Sequence, residues 1–403
     1  MNLARLSVQD LRARASSTAL NLLLLALGVA TLVVIVLVSA QLEERLLRDA
    51  QGVDVVVAAK GSPMQIVLST LYQLDVPTGN IRGGDAQRVA DDPSVTKAIP
   101  ILLSDNYYGF RVVGTNIDYV AHYGATLREG RLWHASGEAV LGADVAALMH
   151  TIVGSTFVPA HGVRGERDLI HEAAPYKVVG LLARTGTVID RLVLTDIASV
   201  SRIHASALEP EESDLVAEPR SDDARQVTAL LIQTVPSAAG ALASRVNAGT
   251  EIQAALPAVE IPRLFRIIGI GADVLWGFAA VLMLSAGLSI FIALYHALSD
   301  RRQDLAIMRA LGASPEKLMT LLLFEGLLLA VVGAALGLAL GHALAELLGF
   351  ALRRTHQVSV TGWVWRDNEV FVIALALGVG FLAALLPAWR ARSIDIATTL
   401  ARG

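Results

Sequence analysis

The chain has 403 residues, of which 54% are hydrophobic and only 17% are charged, and its formal net charge is −4. Soluble globular proteins contain about 25% charged residues, so the composition indicates a membrane protein, and the small negative charge gives no basis for binding nucleic acid. The sequence has no cysteine, which excludes a disulfide framework and a thiolate metal site.

The first apolar run predicts a membrane helix that is retained in the mature protein. Residues 17–42 carry no charge and follow an arginine-containing segment, residues 1–16, which we assign to the cytoplasm. A spanning helix needs about 20 apolar residues. The alternative is a cleaved signal peptide, because Val38-Ser39-Ala40 resembles a cleavage site. Signal peptides have apolar regions of only about 7–15 residues, so the length of this run favours a retained helix.

Residues 43–262 are mixed in composition and predict an α+β domain. Short apolar runs predict strands, and apolar residues at a spacing of three and four predict helices. Representative strands are predicted at Val53–Gly61, Phe110–Thr115 and Val227–Val235, and helices at Met64–Leu74 and Ala238–Ala255. The segment is longer than the usual domain of about 100–150 residues, so we expect two subdomains.

Three further apolar runs complete a four-helix pattern. We predict the second transmembrane helix with an extracytoplasmic extension at residues 263–298, the third at 318–350 and the fourth at 369–389. The segments between and after them are a cytoplasmic coupling loop at 299–317, a short periplasmic loop at 351–368 and a cytoplasmic tail at 390–403. The predicted fold class is an α-helical membrane protein with four transmembrane helices in a 1 + 3 arrangement and a large α+β extracytoplasmic domain between the first and second.

Arginine and lysine set the predicted orientation, because short cytoplasmic segments are enriched in them. The flanks on one side of the membrane hold Arg5, Arg12, Arg14, Arg301, Arg302, Arg309, Lys317, Arg390, Arg392 and Arg402, and the short loop on the other side holds Arg353, Arg354 and Arg366. We therefore place both termini in the cytoplasm and the large domain on the extracytoplasmic side, which is the periplasm if the cell has two membranes. The expected location is the bacterial inner (cytoplasmic) membrane, as a multi-pass protein.

The coupling loop is predicted to contain a short amphipathic helix from Asp304 to Gly312. Residues spaced by three lie on one face of a helix, and such a stripe can insert into a groove of a soluble partner. The residues assigned to this contact are Arg301, Asp304, Leu305, Met308, Arg309, Leu311 and Gly312. Ser314-Pro315 then starts the next helix. The alternative is a loop that lies on the membrane surface.

Two features of the third predicted helix concern its packing. Gly333, Gly337 and Gly341 recur every four residues, which leaves a groove that a neighbouring helix can approach closely. The alternative is that glycine is simply common in membrane helices. Glu325 is ionisable and lies near the start of the helix, where it either pairs with Lys317 or Arg309 or takes part in coupling.

The sequence gives no catalytic or metal-binding motif. It has four lysines, at positions 60, 97, 177 and 317, and none of them belongs to the G-x-x-x-x-G-K-[ST] phosphate loop. The histidines show no spacing typical of zinc ligands. We therefore expect no enzyme activity, no metal and no cofactor in this chain, and any ATP-driven motor must be another polypeptide.

The motifs resemble those of one family. RRQDLAIMRALGASPEKLMTLLLFEGLLLAVVGAALGLALG is similar to the third-helix signature of the FtsX/MacB/LolC-type (type VII, mechanotransmission) ABC transporter permeases, and PAWRARSIDIATTLA resembles their ending. GRLWHASGEAVLGADVAALM and YKVVGLLARTGTVIDRLVL resemble parts of their periplasmic domain.

The resemblance implies the partners and the class of function. It implies a homodimer or close heterodimer in the lipid membrane, two copies of a separate P-loop ABC ATPase that binds ATP and Mg²⁺, and a periplasmic partner protein. Members export or extract substrates from the periplasm or inner membrane, and others transmit a signal to a partner such as a cell-wall hydrolase. Metal-related transport with a periplasmic metal-binding partner, and a membrane-anchored domain without an ATPase, are the further alternatives.

Overall fold

The computed structural model describes residues 12, 14–161, 175–207, 226–300, 307, 310, 314–355 and 360–392. These residues form two compact units. The first, called the helix unit, consists of the described residues within Met1–Leu42 and Ile267–Gly403. The second, called the α/β domain, is Glu43–Arg266.

Helices of very different length occur in the two units. In chain order they are α1 Ala15–Ala50, α2 Pro63–Thr70, α3 Gly83–Ala90, α4 Ile117–His122, α5 Ala143–Met149, α6 Ile197–Ala207, α7 Ala239–Asn247, α8 Pro257–Asp300, α9 Pro315–Thr355 and α10 Asn368–Arg392. Four of them, α1, α8, α9 and α10, are long and apolar enough to cross a membrane. The α/β domain lies between the first and second of these in the chain, so the predicted fold class is confirmed.

The long helices extend beyond the predicted spans. α1 continues to Ala50 and α8 begins at Pro257, so both run without a break between the helix unit and the α/β domain. The added residues of α1 include Glu43, Glu44 and Arg45, which are strong helix formers. Apolarity marks only the part of a helix that lipid can cover, so a hydropathy pattern underestimates the length of a helix that leaves the membrane.

The interior of the helix unit is packed with apolar side chains from all four long helices. Its buried members include Leu25, Val29 and Val33 of α1, Met283 and Ile290 of α8, Leu322 and Ala334 of α9, and Ala376 and Ala384 of α10. The residues that contact one another recur at three- and four-residue spacing, as expected for helices that share one core.

The α/β domain is built on one mixed sheet. The strands are β1 Val55–Ala59, β2 Ile81–Arg82, β3 Val95–Tyr107, β4 Phe110–Thr115, β5 Leu127–Gly130, β6 Glu138–Leu141, β7 Thr156–Phe157, β8 Ala160–His161, β9 Tyr176–Leu182, β10 Val193–Asp196, β11 Gln226–Val227, β12 Ala229–Thr234 and β13 Ile252–Ala255. The 11-stranded sheet has the order β13-β1-β12-β3-β4-β10-β6-β9-β5, with β7 on β9 and β8 on β3, while β11 and β2 form a separate pair.

Two separate hydrophobic clusters lie on this sheet. The first involves β1, β12 and β13 with α3 and α7, through residues such as Val57, Ile232 and Leu242. The second involves β4, β6 and β9 with α5, through residues such as Leu141 and Val178. The sheet therefore has a first half around β1 and a second half around β9, each with its own core.

The predicted helix Ala238–Ala255 is wrong in its second half. The helix ends at Asn247, and Ile252–Ala255 is instead the edge strand β13, antiparallel to β1. The Asn247 side-chain amide bonds both the backbone N–H and the carbonyl of Ala254, at 2.7 and 3.1 Å, which turns the chain back. Pairing with β1 outweighs the high helix propensity of Ala254 and Ala255. The sequence pattern also missed α4, α5, α6 and β5.

Candidate functional site

The third long helix, α9, packs against α1 through its glycines. A Cβ atom placed on Gly337 would lie 2.5 Å from the Cβ of Val29 and 2.8 Å from the carbonyl oxygen of Ala26. The corresponding Cβ atoms on Gly333 and Gly341 would lie 2.6 Å from Leu25 Cδ2 and 2.7 Å from Val33 Cβ. There is no space for a side chain at any of the three positions. We call this contact the α1–α9 seam.

A second glycine contact joins α9 to α10. A Cβ on Gly326 would lie 2.5 Å from the Cβ of Ala384, and one on Gly380 would lie 2.4 Å from the Cβ of Ala330. The Gly326 and Gly380 positions also approach each other's carbonyl oxygen, at 3.1 and 2.9 Å. We call this contact the α9–α10 seam, and the sequence analysis missed it. A signal was available, because on both helices a glycine is followed four residues later by an alanine.

Glu325 is buried near the start of α9, where only 7% of its surface is exposed. It lines a cavity of about 20 Å³ together with Arg14, which precedes α1, with Ser17, Thr18 and Asn21 of α1 and with apolar residues of α8 and α9. A cavity of this size has room for about one water molecule. Lys317, one of the two predicted partners, is exposed, and Arg309 lies outside the described residues.

Polar contacts tie α8 to its neighbours at the same end of the helix unit. Arg14, just before α1, forms a 2.9 Å ion pair with Asp300 of α8, and Ser289 of α8 donates to the side-chain oxygen of Asn21 on α1. Arg390 of α10 donates to the Tyr295 hydroxyl at 2.9 Å, and its guanidinium lies 5.3 Å from the centre of that ring. The exposed Arg14–Asp300 ion pair contributes about 0–1 kcal/mol, so it orients the helix ends more than it stabilises the fold.

A polar network occupies the opposite end of the helix unit. The fully buried Glu369 of α10 accepts from the backbone N–H of Arg366 and lies 2.8 Å from His342 Nε2 of α9. Glu346 of α9 accepts from the hydroxyl of Thr361 at 2.7 Å and from the N–H of Gly362 at 2.9 Å.

The first long helix joins this network through one side chain. Gln41 of α1 donates to the Thr361 carbonyl and accepts from its N–H, at 2.8 and 3.0 Å. The chain before α10 is thus fixed to both α1 and α9. No sequence motif marked these residues.

The coupling-loop prediction cannot be compared with the fold. Its seven residues, Arg301, Asp304, Leu305, Met308, Arg309, Leu311 and Gly312, lie outside the described residues, and their role stays a prediction. The helix that follows begins at Pro315, where the Ser314-Pro315 pair predicted its start.

Within the described ranges, no group of three or more metal-ligating side chains lies together. His122 of the α/β domain has a lowered pKa, because burial and the charge of Lys97 both disfavour its protonation. The Nδ1 atom of His122 lies 3.2 Å from the side-chain nitrogen of Gln233, so Nδ1 is occupied by a hydrogen bond within the domain.

Comparison with known proteins assigns the family. Residues 18–243 match the MacB-like periplasmic core domain, which covers more than half of the chain, and residues 276–396 match the FtsX-like permease C-terminal domain. The macrolide export ATP-binding/permease protein MacB of Psychrobacter cryohalolentis is 23% identical, over 99% of this chain and 59% of its own length. The chain therefore spans about three fifths of that relative.

One further relative and one solved structure are also similar to this chain. The lipoprotein-releasing system transmembrane protein LolC of Xylella fastidiosa is 29% identical, over 25% of this chain and 28% of its own length. The periplasmic region of MacB from Actinobacillus actinomycetemcomitans aligns with 54% of this chain and 97% of its own length, at 9% identity and a TM-score of 0.35. By its two family domains and its four long helices, the chain belongs to the ABC transporter permeases of the MacB, LolC and FtsX type.

Proposed function

We propose that this permease couples ATP hydrolysis by a separate ATPase to motion of its α/β domain, and so drives export or extraction of a substrate from the periplasm or inner membrane. The ATPase is a P-loop protein present in two copies, and it binds the ATP and Mg²⁺. The permease chain itself is not an enzyme in this proposal. It lies in the bacterial inner membrane, with both termini in the cytoplasm and the α/β domain in the periplasm.

The observation that carries the proposal is the continuity of α1 and α8. Each is an unbroken helix from the helix unit into the α/β domain. A helix shifts or tilts as a stiff element, so displacement of its membrane part is passed to the domain at its end. The described interior of the helix unit is filled by apolar side chains, which favours this mechanical role over passage of a substrate between the helices.

A second copy of the chain has a suitable surface on α8. Its apolar side chains Val274, Phe278, Val281, Leu288 and Ile292 are all at least 45% exposed in the single chain. Their spacing of three, four or seven residues puts them on one stripe, which is the pattern of helices that pair along their length. We therefore include a homodimer in the proposal, with lipid as the competing occupant of the stripe.

Reconstitution with the ATPase tests this function. The permease and a P-loop ABC ATPase proposed as its partner are purified together, inserted into nanodiscs and supplied with ATP and Mg²⁺. We expect a stable complex whose ATP turnover depends on the permease and changes the conformation of the α/β domain. A permease that hydrolyses ATP alone, or a complex whose domain is indifferent to nucleotide, would refute the proposal. Activation of a cell-wall hydrolase without any transported substrate would indicate signalling instead.

A further inference from the structure

The last turns of α1 are held by three separate segments of the α/β domain. The hydroxyl of Tyr72, just after α2, donates to the carbonyl of Leu46 at 3.0 Å. The hydroxyl of Tyr123, just after α4, donates to the carbonyl of Asp49 at 3.3 Å. The backbone N–H of Val188, in the loop between β9 and β10, donates to the Asp49 carboxylate at 2.7 Å. Of these bonds, the one from Tyr123 engages a carbonyl group of the last turn of α1, where carbonyl groups lack partners within the helix.

The carboxylate of Asp49 is the centre of this contact. Only 1% of the surface of Asp49 is exposed. Of the three bonds to the end of α1, the one from Val188 is made to a side chain, that of Asp49, and the other two are made to backbone carbonyls. Burial raises the pKa of Tyr72, and the Asp49 charge acts in the same direction, so the phenol stays protonated and remains a donor. Burial and the positive charge of Arg45 lower the pKa of Arg191 to about 10, whereas the negative charge of Asp49 raises it. The Arg191 guanidinium therefore still carries its charge at neutral pH.

The loop that receives Asp49 is itself held together by internal hydrogen bonds. Asp190, 1% exposed, accepts from the N–H groups of Thr185 and Gly186 at 2.9 and 2.7 Å. Gly186 has a φ of +77°, and a Cβ there would lie 3.0 Å from a guanidinium nitrogen of Arg48. The loop therefore meets α1 at two successive residues, Arg48 and Asp49, and it leads directly into β10 of the second half of the sheet.

The two halves of the sheet meet at this helix end. Tyr72 follows α2, which contacts β1 and β13 of the first half, whereas Val188 precedes β10 of the second half. The entry of α8 differs, since only Leu256 separates it from β13 at the edge of the sheet. The end of α1 is thus bonded to segments from both halves, whereas α8 follows directly after the edge strand β13.

We infer that Asp49 is a positioning residue that fixes the end of α1 to the Thr185–Arg191 loop, and that movement of α1 reaches the α/β domain through this joint. The inference rests on the proposed function only in its second part, because the joint itself is a property of the permease alone. Two measurements separate the two parts.

The first measurement needs no ATPase. Because the chain has no cysteine, spin labels can be attached at Glu43→Cys on α1 and Arg128→Cys on β5, both at exposed positions. Electron–electron distance measurements on the purified permease should give one narrow distribution. Asp49→Ala should broaden it, and Asp49→Asn, which keeps an acceptor oxygen, should give a width between the two.

The matched control is Asp54→Ala. Asp54 also accepts a backbone N–H at 2.7 Å, from Thr234, but this bond lies within the sheet and does not involve α1. The control should keep the narrow distribution. Val188→Pro is a second test variant, because it removes the donor without changing any charge, and proline is favoured at the first position of a helical turn. An unchanged distribution in folded Asp49→Ala and Val188→Pro would overturn the inference.

The second measurement uses the nanodisc complex with the ATPase. Labels at Arg128→Cys in two copies should report a nucleotide-dependent distance change in the otherwise unaltered complex. We expect Asp49→Ala to retain ATP turnover and lose this change, and Asp54→Ala to retain both. Persistence of the change in Asp49→Ala would overturn the assigned role in transmission. Absence of any change in the unaltered complex would refute the proposed function, while the first measurement would still decide whether the joint exists.

Discussion

Substitution of Gly337 by alanine tests how tightly α1 and α9 are packed. The added Cβ would lie 2.5 and 2.7 Å from the Cβ and Cγ1 of Val29 and 2.8 Å from the carbonyl oxygen of Ala26. Carbon atoms in favourable contact are about 3.5–4.0 Å apart, so the helices must separate by about 1 Å. The Ala26 oxygen belongs to the backbone and cannot rotate away from the new methyl group.

The expected cost follows from two opposing effects. Overpacking of a tight interior costs about 1–3 kcal/mol, and alanine regains up to about 1 kcal/mol of helix propensity over glycine. With the full gain in propensity subtracted, we expect Gly337→Ala to lower the free energy of unfolding by about 0–2 kcal/mol. Gly337→Leu, which adds three more carbon atoms at the same point, should prevent assembly of the helix unit.

Gly378 of α10 provides the matched control, since a Cβ placed there meets no atom within 4 Å. Gly378→Ala should be neutral or stabilising by up to about 1 kcal/mol. Both variants are unfolded with sodium dodecyl sulfate in mixed micelles and followed by circular dichroism. If the two substitutions change the unfolding free energy equally, the α1–α9 seam is not a tight contact and the reasoning is refuted.

Three further predictions concern the loop, the topology and the polar network. Leu305→Glu with Met308→Glu should abolish recovery of the ATPase in a pull-down, whereas Ala310→Glu, on the opposite face of the predicted helix, should not; undiminished recovery with the double variant would favour a loop on the membrane surface. A membrane-impermeant thiol reagent applied to intact spheroplasts should label Ser136→Cys and miss Ser314→Cys, and the reverse pattern would overturn the topology. Glu369→Ala leaves His342 without its carboxylate partner and should cost about 1–3 kcal/mol of unfolding free energy in the micelle assay, whereas wild-type stability would show that the network is dispensable.

The long helices could be predicted from sequence because each residue in a span meets the same apolar environment. The α1–α9 seam has the same local character, since Gly333, Gly337 and Gly341 lie on one helix and their spacing alone places them on one face. Its partner face, which includes Val29, could not be inferred, because no local pattern tells which neighbour a groove receives.

The remaining contacts depend on residues far apart in the chain. Glu346 and Thr361 are 15 positions apart, His342 and Glu369 are 27 apart, and Asp49 and Val188 are 139 apart. Each pair exists only because helix lengths, helix phases and the sheet order bring its two groups together. The prediction of a helix at Ile252–Ala255 failed for the same reason, since the conformation of this segment is decided by its pairing with β1 rather than by its own alanines.

The two seams on α9 determine which helices can move relative to one another. At the α9–α10 seam the positions of Gly326 and Gly380 approach each other's carbonyl oxygen, and at the α1–α9 seam the glycines meet Val29 and its neighbours on α1. Such close-packed contacts have discrete arrangements and do not slide continuously. α1, α9 and α10 are therefore expected to move as one block.

The glycine contacts of α8 are looser. A Cβ on Gly28 of α1 would lie 3.0 Å from the sulfur of Met283 on α8, and one on Gly287 of α8 would lie 3.0 Å from a methyl group of Val379. Both contacts end on side chains rather than on backbone, and a methionine side chain adapts readily to a shifted neighbour. Relative movement in the helix unit should therefore occur between α8 and the block. A force applied where α9 begins would then reach the α/β domain through α1, which is the helix whose end is fixed at Asp49.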